Sequence, residues 1–372
     1  MKILYVATVS GTMDFFTSII TGLTKDGNKV DIACNLKNWP LAPVYNELEV
    51  KTFDLSCNRS LSLRDLKLTV KELKDIISGG DYDIVHTHTP IASACARIAC
   101  RKYRKKGLKV VYTAHGFHFY KGAPIKNWLM YFPIEWLCSF FTDELITINE
   151  EDYRFAKKRL HAKKCDLVNG VGIDASAFRR DVVARKDKRK ELGLSDNDTV
   201  ILSVGNLNEN KNHLTLIKAV ESLDNSNIKL LVAGVGEKEE EYQSYIDRNS
   251  LADRVRLIGY RNDMKDLYSC ADIYIHPSRR EGLSVSAMEA CAAGLPVIAS
   301  NVRGLRDIVD NGKGGILCDP ENSAEFAAAI KRLHETPELV ETFSKYNIKK
   351  AKTYDLSVIN GRVFDIYKDI VS

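Results

Sequence analysis

The sequence lacks the paired cysteines that mark disulfide frameworks and zinc ribbons. Its 372 residues include nine cysteines, an odd number, and no two of them are separated by only two residues. This pattern excludes a zinc ribbon and argues against a disulfide-bonded secreted domain. We therefore expect most of the cysteines to be buried as small apolar side chains.

Long apolar runs are also missing. No run approaches the roughly 18 residues that a membrane-spanning helix needs. The first nine residues contain one lysine and no clear cleavage site, so they predict a buried strand rather than a signal peptide. The chain is therefore expected in the cytoplasm. Its 22 glycines and 9 prolines are too few for a fibrous chain, and an apolar content of 45% excludes a mainly disordered one.

Two nucleotide-binding fingerprints are absent. The pattern G-x-x-x-x-G-K-[ST] occurs nowhere, and no G-x-G-x-x-G follows the first predicted strand, where residues 10–12 form the only small-residue loop. These absences argue against a P-loop kinase or ATPase and against a dinucleotide-dependent dehydrogenase.

Acidic residues are scarce in the first half of the chain. Residues 1–180 hold 27 Lys and Arg against 19 Asp and Glu, whereas residues 181–372 hold 27 against 30. The net charge of +5 is therefore concentrated in the amino-terminal half. This asymmetry indicates an anionic partner there, which could be phosphate groups, nucleic acid or an anionic membrane.

What the chain does contain is a regular alternation of short β-branched runs with longer amphipathic stretches. This alternation predicts an α/β protein with two Rossmann-like, doubly wound domains, at residues 1–172 and 180–355. Gly170 and Gly172 can form a hinge near the boundary, and a helix at 356–372 can pack back on the first domain. The predicted strands are 3–8, 29–33, 84–87, 109–113, 144–148 and 165–168, then 200–204, 229–233, 255–258, 273–276, 296–299 and 315–317.

Ligands of open α/β sheets bind beyond the carboxyl ends of the strands, so we expect a cleft between the two domains. In the second half, Glu281 precedes a helix that starts near Ser284 or Ser286, and Glu289 lies eight positions later. The free N–H groups of such a helix suit a diphosphate, and Gly282 allows a ligand to approach the backbone. The alternative is an ordinary capped helix with two solvated glutamates.

Two glycine loops follow other strands of the second half. Gly205 ends one strand, and Lys211 lies just before the next helix, where its ammonium can balance a phosphate. A solvated lysine is the alternative. The second loop, at residues 233–236, carries only a G-x-G pattern, for which a tight turn is the default explanation.

Together these motifs resemble retaining glycosyltransferase family 4, with its GT-B fold, and most closely its bacterial branch for capsular, exopolysaccharide or lipid-linked glycans. The resemblance covers nearly the whole chain. Its blocks are the two glutamates Glu281 and Glu289 and segments 83–88, 112–116, 205–211, 257–263, 272–278 and 293–300.

The resemblance implies a role for each matching residue of the nucleotide-sugar site. Glu281 would bind the donor sugar and stabilise its anomeric centre, Glu289 would hold the ribose, and Lys211 would bind the diphosphate. Asn206 stands where the family often has arginine, and Arg280 is a candidate substitute. The remaining donor-binding candidates are Gly11, Gly205, Gly282, the backbone of Leu283 and Ser284, and Tyr260, Arg261 and Asn262 beside the base.

In the first domain, His115 matches the family histidine at the reaction centre, and a buried structural histidine is the alternative. His118 is a second candidate, whereas His86 and His88 are expected to shape the cleft. The resemblance implies a uridine diphosphate sugar as donor, transfer with retention of configuration, and no metal or other cofactor. Asp81 and Asp83 match the letters of a metal-binding D-x-D motif. They precede a predicted strand, however, whereas a metal-binding D-x-D should follow one.

The acceptor side is expected in the basic half. Residues 97–109 contain seven Lys and Arg and no acidic residue, and residues 116–141 contain nine aromatic side chains. Such neighbours suit an anionic membrane surface or a lipid diphosphate. A solvated loop and a core helix are the alternatives, and nucleic acid fits less well. The named candidates for this surface are His118, Arg101, Lys102, Arg104, Lys105, Lys106 and Trp128.

The sequence therefore predicts a retaining glycosyltransferase that moves a hexose or N-acetylhexosamine from a UDP-sugar to a lipid-linked saccharide in bacterial surface polysaccharide synthesis. It is expected at the cytoplasmic face of the membrane as a peripheral protein. Two alternatives stay open at this point: a two-domain sugar-nucleotide epimerase and a non-catalytic protein that binds a nucleotide sugar.

Overall fold

The computed structural model describes residues 1–37, 39–58 and 62–372. The strands, in chain order, are β1 (Lys2–Val9), β2 (Lys29–Asn35), β3 (Lys51–Asp54), β4 (Ile84–His88), β5 (Lys109–Ala114), β6 (Glu144–Thr147), β7 (Lys164–Leu167), β8 (Thr199–Val204), β9 (Ile228–Ala233), β10 (Val255–Leu257), β11 (Ile273–His276), β12 (Val297–Ser300) and β13 (Gly315–Cys318).

The helices, in chain order, are α1 (Thr17–Lys25), α2 (Val44–Glu47), α3 (Leu63–Gly80), α4 (Pro90–Cys100), α5 (Ile125–Ser139), α6 (Glu150–Arg159), α7 (Val182–Glu191), α8 (His213–Glu221), α9 (Glu239–Arg248), α10 (Met264–Cys270), α11 (Val285–Ala292), α12 (Leu305–Ile308), α13 (Ser323–Glu335), α14 (Pro337–Ala351) and α15 (Leu356–Val371). Short 3₁₀ helices cover Ser10–Phe16, Tyr103–Lys106 and Lys352–Tyr354.

The described chain divides into two compact units. The first comprises Met1–Val171 together with Leu356–Ser372, and the second comprises Gly172–Asp355. The second unit thus includes residues 173–179, which the prediction leaves between the domains. Two Rossmann-like units confirm the predicted fold class.

The first unit is built on a seven-stranded parallel sheet in the order β3-β2-β1-β4-β5-β6-β7. Successive residues of β1 point to opposite faces, and both sets are buried. Ile3 and Tyr5 pack with apolar residues of α1 and α15, whereas Leu4 and Val6 pack with those of α3 and α4. The carboxyl ends of β1, β4 and β5 are neighbours in the sheet, so the residues that follow them meet at one edge.

The carboxyl-terminal helix α15 is part of the first unit. The hydroxyl of Tyr367 lies 2.7 Å from that of Tyr5 in β1, and Asn360 donates a hydrogen bond to Ser18 over 2.9 Å. At Gly22 in α1, an added Cβ would lie 3.0 Å from the ring of Phe364, so the two helices are in close contact.

The second unit is built on a six-stranded parallel sheet in the order β10-β9-β8-β11-β12-β13. Helices cover both faces, and the two apolar cores divide the residues of β8 by alternation: Val200 and Leu202 face one side, and Ile201 faces the other. The loops after β8, β9, β10 and β11 lie at the carboxyl edge of this sheet.

The cysteines and the apolar helices agree with what the sequence predicts for them. All nine cysteines are free thiols, and every one except the half-buried Cys165 is buried, which confirms the prediction of small apolar core residues. Within the described residues, no helix combines the length and the apolar character needed to span a bilayer.

Candidate active site

The carboxyl edge of the second sheet brings Lys211, His276 and Glu281 together. The ammonium of Lys211 donates to Oε1 of Glu281 over 2.6 Å, and Nε2 of His276 lies 2.9 Å from the same oxygen. Glu281 is 13% exposed and His276 is 1% exposed. Lys211 reaches this point from the loop after β8, whereas His276 ends β11, the neighbouring strand. The sequence predicts Lys211 and Glu281 for one site, and the structure places them in direct contact.

The charge of Glu281 is set by these two neighbours. Burial opposes ionisation, but the hydrogen bond from His276 and the ammonium of Lys211 outweigh it and hold the pKa of Glu281 below its usual value. Burial, followed by the nearby ammonium of Lys211, lowers the pKa of His276. At neutral pH the site therefore contains a carboxylate, an ammonium and a neutral imidazole.

Helix α11 begins at this site. Ser284 is its N-cap, and the hydroxyl accepts a hydrogen bond from the backbone N–H of Ala287 over 3.3 Å. Of the two starts that the sequence allows, Ser284 rather than Ser286 is therefore the cap. The first turn of an α-helix has N–H groups without intrahelical partners, and these attract anions. Glu281, which contacts the ammonium of Lys211, precedes this helix start by three residues.

Glu289 lies inside α11 and is held by an aromatic hydroxyl. Tyr268 from α10 donates to Oε2 of Glu289 over 2.9 Å and to the carbonyl of Ser286 over 3.0 Å. Burial raises the pKa of Glu289 to about 7, and the hydrogen bond from Tyr268 offsets only part of this effect. Glu281 and Glu289 therefore differ in charge state near neutral pH, although both are glutamates of one motif.

The two glycine loops touch each other. A Cβ atom at Gly234 would lie 2.0 Å from the carbonyl oxygen of Gly205, so no larger residue fits there without a shift of the backbone. At Gly205 itself, an added Cβ would lie 3.1 Å from the Lys211 side chain. The loops after β8 and β9 thus form one continuous surface behind Lys211. The weak G-x-G signal at residues 233–236 marks this close approach.

The other candidates of the second unit lie around this surface. Asn206, Tyr260 and Asn262 are exposed, and Leu283 is half-buried against the core. The carbonyl of Arg280 accepts a hydrogen bond from Asn210 over 3.1 Å. Gly282 is crowded from behind, because a Cβ at Gly304 would lie 2.3 Å from the Gly282 carbonyl oxygen.

Arg261, which is expected beside the base, is held by two carboxylates. Its guanidinium donates through Nε to Asp263 over 2.7 Å and through Nη2 to Glu191 over 3.3 Å. Asp263 also accepts from Lys188 over 2.7 Å. Arg261 thus ties the loop after β10 to α7, and Tyr260 is left as the exposed ring of that loop.

Three side chains of this site are absent from the sequence prediction: His276 as a partner of Glu281, Tyr274 and Tyr268. The Tyr274 hydroxyl lies 3.0 Å from Nδ1 of His276 and 2.8 Å from the hydroxyl of Ser286. Period-2 alternation along β11 puts Tyr274 and His276 on one face, and this signal could have identified the pair. No local pattern connects Tyr268 to Glu289.

A histidine cluster lies at the carboxyl edge of the first sheet. Nδ1 of His88 is 3.2 Å from Nε2 of His115, and the ring of Phe16 stacks on His88 with centroids 4.0 Å apart. His86 is hydrogen-bonded through Nδ1 to the Tyr367 hydroxyl and through Nε2 to Thr113, the latter over 2.8 Å. His86 and His88 are buried, and His115 is half-buried.

Burial keeps these imidazoles neutral at pH 7. It lowers the pKa of His115 to about 4 and, with repulsion from His115, that of His86 to about 3. A neutral imidazole is a hydrogen-bond donor at one nitrogen and an acceptor at the other. His115 therefore suits a polar contact with a sugar hydroxyl better than a charge contact with a phosphate.

Gly11 and His118 are placed near this edge. Gly11 lies in the 3₁₀ helix after β1, and an added Cβ there would lie 3.5 Å from the ring of Trp39. The ring of His118 lies 4.6 Å from that of Tyr131 in α5, measured between centroids. The D-x-D residues lie elsewhere: Asp83 precedes β4 and accepts from the backbone N–H of Lys2 over 2.7 Å, at the amino end of the sheet.

The basic run from residue 97 to 109 is only partly available to a partner. Arg97 is 1% exposed in its side chain and pairs with Glu135 over 2.9 Å, which contradicts its expected place on a basic surface. Arg104 donates to both carboxylate oxygens of Asp143, each over 2.8 Å. The exposed cations of the run are Arg101, Lys102, Lys105 and Lys106.

The aromatic side chains of residues 116–141 are likewise divided between the interior and the surface. Trp128 is half-buried and packs against Phe119, Phe132 and Phe155, with ring centroids 5.5 to 6.0 Å apart. It belongs to an internal aromatic cluster rather than to an exposed surface. The exposed large apolar side chains of α5 are instead Ile125, Leu129, Ile134, Trp136 and Leu137.

At the carboxyl edge of the second sheet, a lysine, a histidine and a glutamate meet just before the start of α11, and such an arrangement can hold an anionic ligand. Comparison with known families identifies the class. The family described as glycosyl transferases group 1 matches residues 184–350, and the family described as glycosyl transferase 4-like matches residues 2–149. The chain therefore belongs to the group 1, glycosyl transferase 4-like glycosyltransferases.

Individual relatives agree with this assignment. The chain is 38% identical over 301 residues to EpsD of Bacillus subtilis (strain 168), whose name places it among the glycosyltransferases; the match covers 80% of this chain and 79% of EpsD. It is 29% identical over 353 residues to the Escherichia coli UDP-Gal:alpha-D-GlcNAc-diphosphoundecaprenol alpha-1,3-galactosyltransferase, covering 92% and 89% of the two chains.

A solved structure confirms the GT-B fold. The crystal structure of HepE from Anabaena in complex with UDP superposes with a TM-score of 0.84 and covers 99% of this chain and 100% of HepE, at 20% identity. The family matches and the two relatives confirm the predicted enzyme class, a glycosyltransferase. This class replaces the two alternatives, a sugar-nucleotide epimerase and a non-catalytic binding protein.

Proposed function

We propose that this glycosyltransferase moves one hexose or N-acetylhexosamine from a UDP-sugar to a lipid-linked saccharide, with retention of configuration, in the synthesis of a bacterial surface polysaccharide. The observation that carries the proposal is the contact of Lys211 and His276 with Glu281 at the start of α11. The relative that acts on diphosphoundecaprenol-linked GlcNAc supports the acceptor class. HepE, solved with UDP, supports the nucleotide.

The proposed reaction is driven by stabilisation of the leaving group. The bond between the anomeric carbon and the diphosphate oxygen breaks, and negative charge grows on that diphosphate. Lys211 and the N–H groups at the start of α11 neutralise this charge. Glu281 holds hydroxyls of the donor sugar and favours positive charge at the anomeric carbon. The acceptor hydroxyl bonds to that carbon from the same face, and its proton passes to the leaving phosphate.

We further propose that no divalent metal takes part, because the ammonium of Lys211 and the helix start supply the positive charge that the diphosphate requires. A panel of UDP-, GDP- and dTDP-sugars, assayed for slow hydrolysis with and without excess EDTA, tests both statements. We expect hydrolysis of a UDP-sugar that persists in EDTA. Hydrolysis of only GDP- or dTDP-sugars would reject the donor, and loss of activity that Mn²⁺ restores would reject the metal-free reaction.

The pH dependence of nucleotide binding should report the charge of Glu289. A carboxyl whose pKa is raised to about 7 gains a proton as the pH falls through that value, and a protonated carboxyl accepts hydroxyl hydrogen bonds poorly. We therefore expect UDP affinity to fall by up to about tenfold per pH unit below pH 7. Titration calorimetry from pH 5.5 to 8.5 measures this slope.

Glu289→Gln is the control, because UDP has a terminal phosphate that titrates in the same range in both proteins. The variant should bind UDP more weakly at pH 8 and should lose the part of the slope that belongs to the carboxyl. Equal slopes in the two proteins would show that Glu289 does not bind the ribose.

We also propose that the first unit docks on the anionic cytoplasmic face of the membrane. Arg101, Lys102, Lys105 and Lys106 are exposed, and the guanidinium of Arg101 lies 5.2 Å from the ring centroid of Phe141, just after α5. Each such cation contributes about 1 kcal/mol to binding of anionic lipid. Changing all four to serine should reduce binding to anionic vesicles about a hundredfold or more. Arg104 is kept, because it pairs with the buried Asp143.

Vesicle flotation at low and high salt measures this effect, since such attraction is screened over about 8 Å at physiological salt. A matched variant removes four exposed cations of the second unit, Lys331, Arg332, Lys345 and Lys349. The matched variant should float like the wild type. Equal flotation of both variants would mean that the run at 101–106 is only a solvated surface.

A further inference from the structure

An open apolar groove of about 590 Å³ lies between α3, α4 and α5 in the first unit. A volume of this size lies within the range of small-ligand sites in proteins. No part of the proposed donor site or of the histidine cluster lines it. Its apolar walls are formed by Leu66, Val70, Ile91, Ala94, Ile98, Ile134 and Leu137, with Cys95 and Cys138 at the floor.

The groove has a cationic rim. Lys67, Lys71 and Lys74 are spaced by four and three positions, so they lie along one face of α3, and all three are exposed. Within the described part of the chain, none of these three ammonium groups forms an ion pair with a carboxylate. Glu135 is the acidic residue that lines the groove, and its charge is balanced by Arg97 over 2.9 Å. The groove therefore combines an apolar interior with uncompensated positive charge.

One end of the groove approaches the histidine cluster. Pro90, which lines the groove, begins α4 only two residues after His88. Tyr131, another lining residue, has its ring 4.6 Å from that of His118. Lys67 lies in the first turns of α3, toward the same edge of the sheet. The opposite end, at Ile98 and Leu137, opens beside the exposed apolar side chains of α5.

We propose that this groove holds the hydrocarbon chain of the lipid-linked acceptor, while Lys67 and Lys71 bind its diphosphate. The inference rests on the proposed function and assigns a binding site to the lipid part of that acceptor. A long isoprenoid chain fits an open apolar channel, since each buried CH₂ group favours binding. The negative charge of the acceptor's phosphates complements the positive charge of the three lysines. The sugar at the other side of the diphosphate is then directed toward His115 and His118.

Farnesyl diphosphate is a suitable probe, because it has an isoprenoid chain and a diphosphate but no sugar. Binding is measured by titration calorimetry with UDP in excess, so that the donor site is occupied. We expect farnesyl diphosphate to bind at least tenfold more tightly than inorganic diphosphate and than farnesol. Equal binding of inorganic diphosphate would show an anion site without a chain site and would overturn the proposal.

Two kinds of variant test the two halves of the site. Ala94→Trp fills the groove and should weaken farnesyl diphosphate binding at least tenfold. Ile98→Ser removes apolar surface at the open end, should weaken binding several-fold, and gives a second test should the larger tryptophan disturb the fold. Lys67→Glu combined with Lys71→Glu should weaken binding at least tenfold and reduce its dependence on salt.

Leu129→Ser is the matched control, because Leu129 is 74% exposed on α5 but does not line the groove. It should bind farnesyl diphosphate within twofold of the wild type. Unchanged binding in Ala94→Trp and Ile98→Ser would reject the groove. A wild-type dimer that Ala94→Trp converts to a monomer would show that a second copy of the chain covers the groove instead.

Hydrolysis of the UDP-sugar separates this inference from the function on which it rests. Ala94→Trp should hydrolyse the donor at the wild-type rate, since no donor-site residue lines the groove. Wild-type protein that binds farnesyl diphosphate but hydrolyses no UDP-sugar would count against the proposed function alone. Protein that hydrolyses a UDP-sugar but shows no chain-dependent binding would count against the groove alone.

Discussion

Replacing Glu281 with glutamine is expected to lower the rate of sugar transfer roughly 10²–10³-fold, which corresponds to about 3–4 kcal/mol of transition-state stabilisation. Glutamine has the shape of glutamate, so the contact with His276 can persist and the fold should not change. What is lost is a carboxylate that its neighbours keep ionised. Since positive charge grows on the donor sugar in the transition state, the loss should fall mainly on kcat. UDP affinity should change little.

Glu321→Gln is the matched control for this variant. Glu321 is a 61% exposed glutamate that pairs with Arg279 over 2.5 Å, and an exposed ion pair contributes only about 0–1 kcal/mol. Its transfer rate should stay within about twofold of the wild type. A folded Glu281→Gln protein with a near-normal rate would mean that Glu281 only positions Lys211.

Replacing Lys211 with methionine is expected to be comparably severe, with a fall in kcat of roughly 10²–10³. Methionine keeps much of the side-chain length but removes the ammonium that lies 2.6 Å from Glu281. The growing negative charge of the leaving diphosphate would then be met by the start of α11 alone. UDP binding should weaken as well, because the ground-state diphosphate already carries negative charge. This double effect distinguishes Lys211→Met from Glu281→Gln.

Steady-state kinetics and UDP calorimetry on the purified variants measure these two effects. Lys345→Met serves as control, since Lys345 is 75% exposed on α14 and pairs with Glu341 there. It should resemble the wild type in both measurements. If Lys211→Met retained UDP affinity and lost only kcat, the ammonium would contact the diphosphate only in the transition state.

The fold was predictable because its strands are buried and apolar. Each of the twelve predicted strands corresponds to one in the structure, often within one or two residues. The missed strand is β3, Lys51–Asp54, which lies at the edge of the first sheet. Three of its four residues are exposed and the fourth is half-buried, so neither an apolar run nor a hydrophobic alternation marks it. Its pairing with β2 creates the strand, and a local pattern cannot show that pairing.

Charge patterns were less reliable than apolar ones. A run of basic residues predicts a solvated face, yet Arg97 turns inward to Glu135, 38 positions away along the chain. Arg104 turns to Asp143, 39 positions away. Both partners belong to other segments, and a lone carboxylate carries no sign of its partner in the sequence. The basic surface is therefore smaller than the sequence indicates, and its exposed part lies at residues 101–106.

The candidate site shows the same limit. The glutamates of α11 and Lys211 follow from a motif with fixed spacing, and the structure joins Lys211 to Glu281. The histidines of the first unit, by contrast, are held by contacts from distant parts of the chain. Tyr367, which contacts His86, is 281 positions away from it. Such contacts depend on the return of α15 to the first unit. The periodicity of residues 356–371 predicts a helix but does not show which residues it contacts.

The anomeric configuration of the product tests the central claim most directly. Proton NMR can follow the hydrolysis of an α-linked UDP-sugar by the wild-type enzyme, with Glu281→Gln measured in parallel to show that the signal comes from this site. A retaining transferase should release the α-sugar first, before mutarotation forms the β-anomer, and the variant should release little of either. Initial release of the β-sugar would contradict the account, because it would require attack from the opposite face of the ring.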